Sequence, residues 1–163
     1  MPSPSPPSLT SEQQRGRQKR VERIARDLGF VGFVEYRHLY SRAGGAQYGQ
    51  ARLADQDRLL VFAEAFERDA DPEEFSLTAI LAHERGHQIL ARHPRIAKRV
   101  AGRVGDVGEE ILASLLGSMI CREQADRDAL VEKAAAELVT RGVSVAVAVS
   151  KLQELRDIFE ALL

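Results

Sequence analysis

Apolar residues recur three and four positions apart along most of this chain, which predicts helices joined by short polar segments. Val21, Ile24 and Leu28 mark one stripe of a first helix. Thr10 or Ser11 can cap it, with Gln13 or Gln14 three positions on, and Gly29 stops it. Residues 30–40 are mixed and predict no clear element. Residues 47–53 and 58–63 have strand character, and the polar connector 54–57 is short enough for a hairpin. Leu59, Leu60, Val61 and Phe62 are continuously apolar, so the second strand should be covered on both faces. Asp71 can cap the next helix, with Pro72 in its first turn and Glu74 three residues after the cap. That helix should run to about Arg92, because Pro94 disfavours helical geometry at His93. Residues 94–105, rich in Arg and Gly, read as a connector. A helix from near Asp106 to about Arg122 follows, then helices over about 126–141 and 144–162. The valine–alanine alternation at 143–149 also fits a strand; Leu152, Leu155, Ile158, Phe159 and Leu162 favour the helix. The expected fold class is α+β, mainly helical, with a small antiparallel sheet.

At 163 residues the chain is the size of one domain and can bury a core without disulfides. The stretch MPSPSPPSL at 1–9 has little to bury and reads as a disordered tail before a single domain over 10–163. It lacks the basic start and apolar run of a secretory signal. No apolar run approaches the roughly 20 residues of a membrane span. The lone Cys121 excludes an intramolecular disulfide, reads as a small core hydrophobe and fits a reducing compartment. The expected location is the cytoplasm. A net charge of −1 gives no whole-chain case for nucleic acid, so neither nucleic-acid nor membrane binding is expected. Charge is nonetheless uneven. Arg15, Arg17, Lys19, Arg20, Arg23 and Arg26 face only Glu22 across 14–26. Arg85, Arg92, Arg95, Lys98, Arg99 and Arg103 share 85–105 with no acid. Both read first as solvated faces, though the second can attract an acidic substrate.

Chemistry concentrates in His83-Glu84-Arg85-Gly86-His87, an HExxH sequence inside a predicted amphipathic helix. Residues four apart project from one helix face, so two imidazoles can hold one Zn²⁺. Glu84 lies about 100° round the helix from His83, placed to reach a metal-bound water rather than the ion. Catalytic zinc needs a third protein ligand and an open position. The stretch QILARHPRIA after His87 offers no third histidine at a suitable spacing. Glu109 and Glu110 stand in the first turn of the next helix. Glu110 shares its face with the small residues Ala113, Ser114 and Gly117, and Glu109 leads into Leu112, Leu116 and Met119. A small-residue face lets two helices approach closely, which favours Glu110 over Glu109 or Asp106. Gly86 costs about 1 kcal/mol relative to Ala inside a helix, and a closely passing backbone would explain it.

With these residues in hand, the chain resembles the gluzincin metallopeptidases, and most closely the ImmA/IrrE-like family of small cytoplasmic regulatory peptidases. QYGQARLADQDRLLVFAEAF looks like that family's strand–turn–strand, LTAILAHERGHQIL like its LAHELGH helix, and EEILASLLGSMI like its ExxAN-FAxxLLM segment. The three span about 47–121 in the family's order. Ser114 stands where the family has Asn, and no proline follows the third segment. The resemblance implies a zincin-like domain, with His83, His87 and Glu110 on zinc and Glu84 as general base. It implies a zinc-dependent endopeptidase acting on a restricted protein or peptide substrate, a regulatory protein among the candidates. Small single-domain gluzincins are a neighbouring resemblance. The alternative is a non-catalytic or latent zincin-like regulatory module. In the latent form the tail or the last helix would plug the cleft. The 58–63 strand is the expected edge for an extended substrate. Tyr48, Tyr40, His38 and His93 are the candidates for a second oxyanion donor. Nothing in the sequence sets an oligomeric state.

Overall fold

Capping chemistry and burial set the elements. The computed structural model describes residues 4–41, 44–105 and 107–162. Helix α1, Ser11–Asp27, starts at Thr10 through a complete capping box: the Thr10 hydroxyl accepts from the Gln13 N–H, and Gln13 Oε1 accepts from the Thr10 N–H. Strands β1 (Phe33–Arg37), β2 (Ala46–Gly49) and β3 (Arg58–Phe62) follow, then α2 (Ala63–Ala70), α3 (Leu77–Arg92), α4 (Pro94–Val104), α5 (Glu109–Ile120), α6 (Gln124–Thr140) and α7 (Val145–Leu162). Among the described residues, no helix is long and apolar enough to cross a membrane.

The sheet is mixed rather than antiparallel. Its order is β1-β3-β2, with β1 parallel and β2 antiparallel to β3. The missed strand is β1. Val34 and Tyr36 face inward between exposed Phe33 and Glu35, but the exposed phenylalanine hides the alternation. β3 is central and buried at Leu59, Val61 and Phe62, as its apolar run predicts. It therefore has no free edge, and the cleft-side edge belongs to β2.

Two further expectations are corrected. Asp71 starts no helix: it is the C-cap of α2, and its carboxylate accepts from the Glu73 N–H in a turn. α3 begins instead at Ser76, whose hydroxyl accepts from the Ala79 N–H (3.1 Å) and donates to Asp126 (2.5 Å). An extra helix, α2, fills 63–70 and buries Ala63 and Ala65. The expected connector 94–105 is also mostly helical. The proline that ends α3 serves as the first residue of α4, which buries Ile96 and Val100 one turn apart. α7 takes the helical alternative at 145–162.

The interior divides into two clusters. One holds the sheet, α1 and the first half of α3, with Leu77, Ala79, Leu81 and Ala82 inside. The other joins α4, α5, α6 and α7 to Ile89 and Leu90 at the far end of α3. Cys121 is buried in the first, and burial pushes its thiol up to about 11, so it stays inert. In residues 4–10 the Pro7 carbonyl accepts from His38 Nε2 (2.7 Å), whose Nδ1 accepts from the Tyr36 hydroxyl. Residues 1–3 of the expected tail, and Asp106, lie outside the described residues.

Candidate metal centre

The site exists because α3 and α5 touch backbone to backbone. A Cβ on Gly86 would lie 2.2 Å from the Ala113 carbonyl oxygen. A Cβ on Gly117 would lie 2.7 Å from the Ala82 carbonyl oxygen. The small face of α5 thus meets the HExxH face of α3, as its residue sizes predict. At this separation a glutamate arm spans the gap. Glu110 Oε2 is 2.9 Å from His83 Nε2, and its Oε1 is 3.1 Å from His87 Nε2. The two Nε2 atoms are 3.1 Å apart. Among the described residues, His83, His87 and Glu110 form a triad able to hold a metal ion, with ligand atoms within 4.8 Å of one another.

The neighbouring polar groups complete the arrangement. With its proton on Nδ1, His83 donates to Ser114 Oγ (2.8 Å). His87 likewise donates from Nδ1 to Glu109 Oε2 (2.7 Å). The adjacent glutamates therefore divide the work: Glu110 points its carboxylate at both Nε2 atoms, while Glu109 holds the His87 ring from behind. Such partners fix the tautomer and aim of a ligating imidazole. Both Nε2 lone pairs then face each other and a carboxylate, a donor set suited to a cation. Burial, aided by the charges of Lys133 and His87, pushes His83 down to about 4, so it stays neutral near pH 7. Burial would raise the Glu110 carboxyl, but the charges of His87 and His83 and the bond to His83 hold it below its ordinary value.

Glu84 stands off the triad. One oxygen accepts the backbone N–H of Tyr48 on β2 (3.0 Å). Burial pushes its carboxyl up to about 7, against the pull of His87 and that N–H. A carboxyl poised there can take and release a proton near neutrality. Triad and Glu84 line one cleft of about 460 Å³, walled by residues 44–48 on one side and by Phe75, Leu130 and Lys133 on another.

Asp57 sets the distance between β2 and α3. Its carboxylate is fully buried and accepts from the Tyr48 hydroxyl (2.7 Å), the Ala51 N–H (2.7 Å), Gln88 Nε2 (2.9 Å) and Arg92. Glu84, Gln88 and Arg92 recur every four residues, so one face of α3 grips the strand. Burial alone would raise Asp57, but the bonds from Arg92, Ala51, Gln88 and Tyr48 outweigh it and hold the carboxyl well below the usual range. A depressed native pKa adds stability above the unfolded value of about 3.9 and loses it as pH falls below that. The stability difference between wild type and Asp57→Asn should therefore be largest near neutrality and shrink below about pH 4. Urea titrations from pH 7 to 3 test this; a constant difference would refute it.

The proposed oxyanion donors are mostly elsewhere. The Tyr48 hydroxyl is spent on Asp57, Tyr40 on Glu67, and His38 on Tyr36 and Pro7. His93 is the C-cap of α3, and of these four residues only Tyr48 lines the cleft. Sequence reasoning missed Lys133, a half-buried cation whose Nζ stands 5.8 Å from the Phe75 ring centre. The apolar spacing of Leu130, Ala134 and Leu138 marked its helix but not which polar residue would face the cleft. Neither residues 4–10 nor α7 lines the cleft. No family model, curated protein or solved structure matches the chain.

Proposed function

We propose that the chain is a zinc-dependent endopeptidase of the gluzincin type, built on a zincin-like fold near the ImmA/IrrE-like family and acting on a restricted protein substrate. The observation that carries this reading is the convergence of two imidazole Nε2 atoms and one carboxylate beside a separate, half-buried carboxyl poised near neutrality. The donor set fits the ion. Separations of 2.9–3.1 Å approach the roughly 3.3 Å between ligands of a tetrahedral ion with bonds near 2.0 Å. Two imidazoles and one carboxylate also favour zinc over magnesium or calcium.

Bound there, zinc would act as a Lewis acid toward water and the scissile carbonyl. His83, His87 and Glu110, which line the cleft, would hold the ion. Glu84 takes the proton of the attacking water at its free carboxylate oxygen and returns it to the departing amine nitrogen. The Tyr48 N–H keeps the carboxylate turned toward the cleft. β2, rather than β3, offers the backbone edge along which an extended peptide can lie. A purely structural metal site has no use for Glu84, which disfavours the non-catalytic alternative. The lining of the cleft gives the latent alternative no plug among the described residues.

The decisive test compares zinc-loaded wild type with Glu84→Gln on a quenched-fluorescence peptide library. Glu84→Gln should keep about one zinc per chain and lose roughly 10²–10⁴-fold in hydrolysis rate, the usual contribution of a general base. Equal rates in the two proteins, or hydrolysis unaffected by chelator, would overturn the proposal.

A further inference from the structure

The wall of the metal cleft away from β2 is apolar, formed by Phe75 and Leu130 beside Ala79 and Ile80 of α3. Lys133 interrupts it, three residues after Leu130 on the same face of α6. The cation is half-buried, and among the described residues it has no hydrogen-bond or ion-pair partner. Its Nζ stands 5.8 Å from the Phe75 ring centre. The carboxylates of the cleft are turned elsewhere: Glu110 to both imidazoles, Glu109 to His87 and one oxygen of Glu84 to the Tyr48 N–H. On its other side Lys133 borders an acid-rich groove, where Asp126 accepts from Ser76 and Asp69 accepts from Arg20 and the Leu77 N–H. Burial weighs most on the pKa values of His83, Glu84 and Glu110, and the Lys133 charge is among those that draw all three down, so its field reaches the reaction site. A partly desolvated cation with no counter-ion is costly, and a bound anion offsets that cost.

We propose that Lys133 selects the substrate by binding the carboxylate of a glutamate side chain next to the scissile bond. The inference rests on the peptidase reading for the identity of its ligand. Glutamate fits the wall in both halves. Its two methylenes can lie against Phe75 and Leu130, and its carboxylate then meets a compact ammonium charge in a charge-assisted hydrogen bond. A neutral side chain would cover the apolar wall but leave the cation unpaired. A basic one would meet like charge. Arg68, the other Lys or Arg side chain lining the cleft, is exposed near Gly44 and is a weaker candidate.

The chain has no tryptophan, so a tryptophan-bearing peptide reports its own binding by fluorescence. The probes are acetyl-Ala-Leu-Glu-Leu-Trp-amide, its Gln and Lys counterparts, and the Gln peptide with a free C-terminal carboxylate. Each titrates the zinc-loaded full chain carrying Glu84→Gln, which binds without turnover. The Glu peptide should bind about tenfold more tightly than the Gln amide, as one hydrogen bond between charged groups implies. In the same background Lys133→Met should abolish the difference, and Lys133→Glu should transfer the preference to the Lys peptide. Lys98→Met, exposed on α4 and outside the cleft lining, should change nothing. Circular dichroism and zinc content verify the folds. A Glu preference kept in Lys133→Met would put the carboxylate on the metal. Equal weakening of the Glu and Gln amides would give Lys133 a role unrelated to the side chain. Tightest binding of the free C-terminus would make the ligand a terminal carboxylate. Each of these, or no binding of the Glu peptide, would overturn the proposal. Sequencing of library products cut by the protein with Glu84 intact separates it from the parent reading. Cuts beside glutamate, with the bias lost in Lys133→Met, support both. Cuts without acidic bias remove the inference and leave the peptidase. Glu-selective binding with no cleavage removes the peptidase and leaves an acid-binding cleft.

Discussion

Alanine at position 86 is expected to destabilise the chain by about 3 kcal/mol or more, the upper range for overpacking. The added carbon would lie 2.2 Å from the Ala113 carbonyl oxygen and 2.8 Å from its carbon. Both atoms belong to the backbone within α5, so no rotamer change relieves the clash. Alanine is the better helix former by about 1 kcal/mol, and that gain is overwhelmed. Relief requires α3 and α5 to part, which also draws Ser114 away from His83 and Glu110 away from both imidazoles. Denaturant midpoints and zinc content should therefore fall together. Gly102→Ala in α4 is the control, because nothing lies within 4 Å of its added carbon. An unchanged midpoint for Gly86→Ala would refute the close helix crossing.

Substituting the two adjacent glutamates separately should split their roles. Glu110→Ala removes a ligand of the triad, and purified protein without a histidine tag should lose its metal on dialysis. Glu109→Ala removes only the acceptor behind His87. Loss of such a partner weakens metal binding by roughly 10–100-fold. Metal content after dialysis against graded chelator distinguishes the two. Retention in Glu110→Ala with loss in Glu109→Ala would reverse the assignment.

The contrast between these neighbours shows what the sequence disclosed. His83 and His87 were legible because a four-residue helical spacing is local. Glu110 was legible because Ala113, Ser114 and Gly117 announced a close crossing. The second role of Glu109 was not, since it depends on which way the His87 ring turns once Glu110 approaches. The same division runs through the fold. Helices with apolar stripes, such as α5, α6 and α7, stood out. α4 was lost among arginines because only Ile96 and Val100 anchor it. β1 went unseen because its exposed Phe33 breaks the alternation, and its parallel pairing with β3 is a long-range fact. Asp57 looked like a polar turn residue. Its burial follows from partners 31 and 35 positions away, Gln88 and Arg92.

The triad also sits at a seam. Leu77 to Ala82 belong to one apolar cluster and Ile89 and Leu90 to the other, with His83, Glu84 and His87 between them on the same helix. An ion gripped by α3 and α5 together recognises only the docked arrangement of those helices. Binding and folding are then thermodynamically linked. Each tenfold rise in free ion above its dissociation constant adds about 1.4 kcal/mol to the unfolding free energy. On the proposed reading, metal supply would set how much heat the chain tolerates as well as whether it reacts.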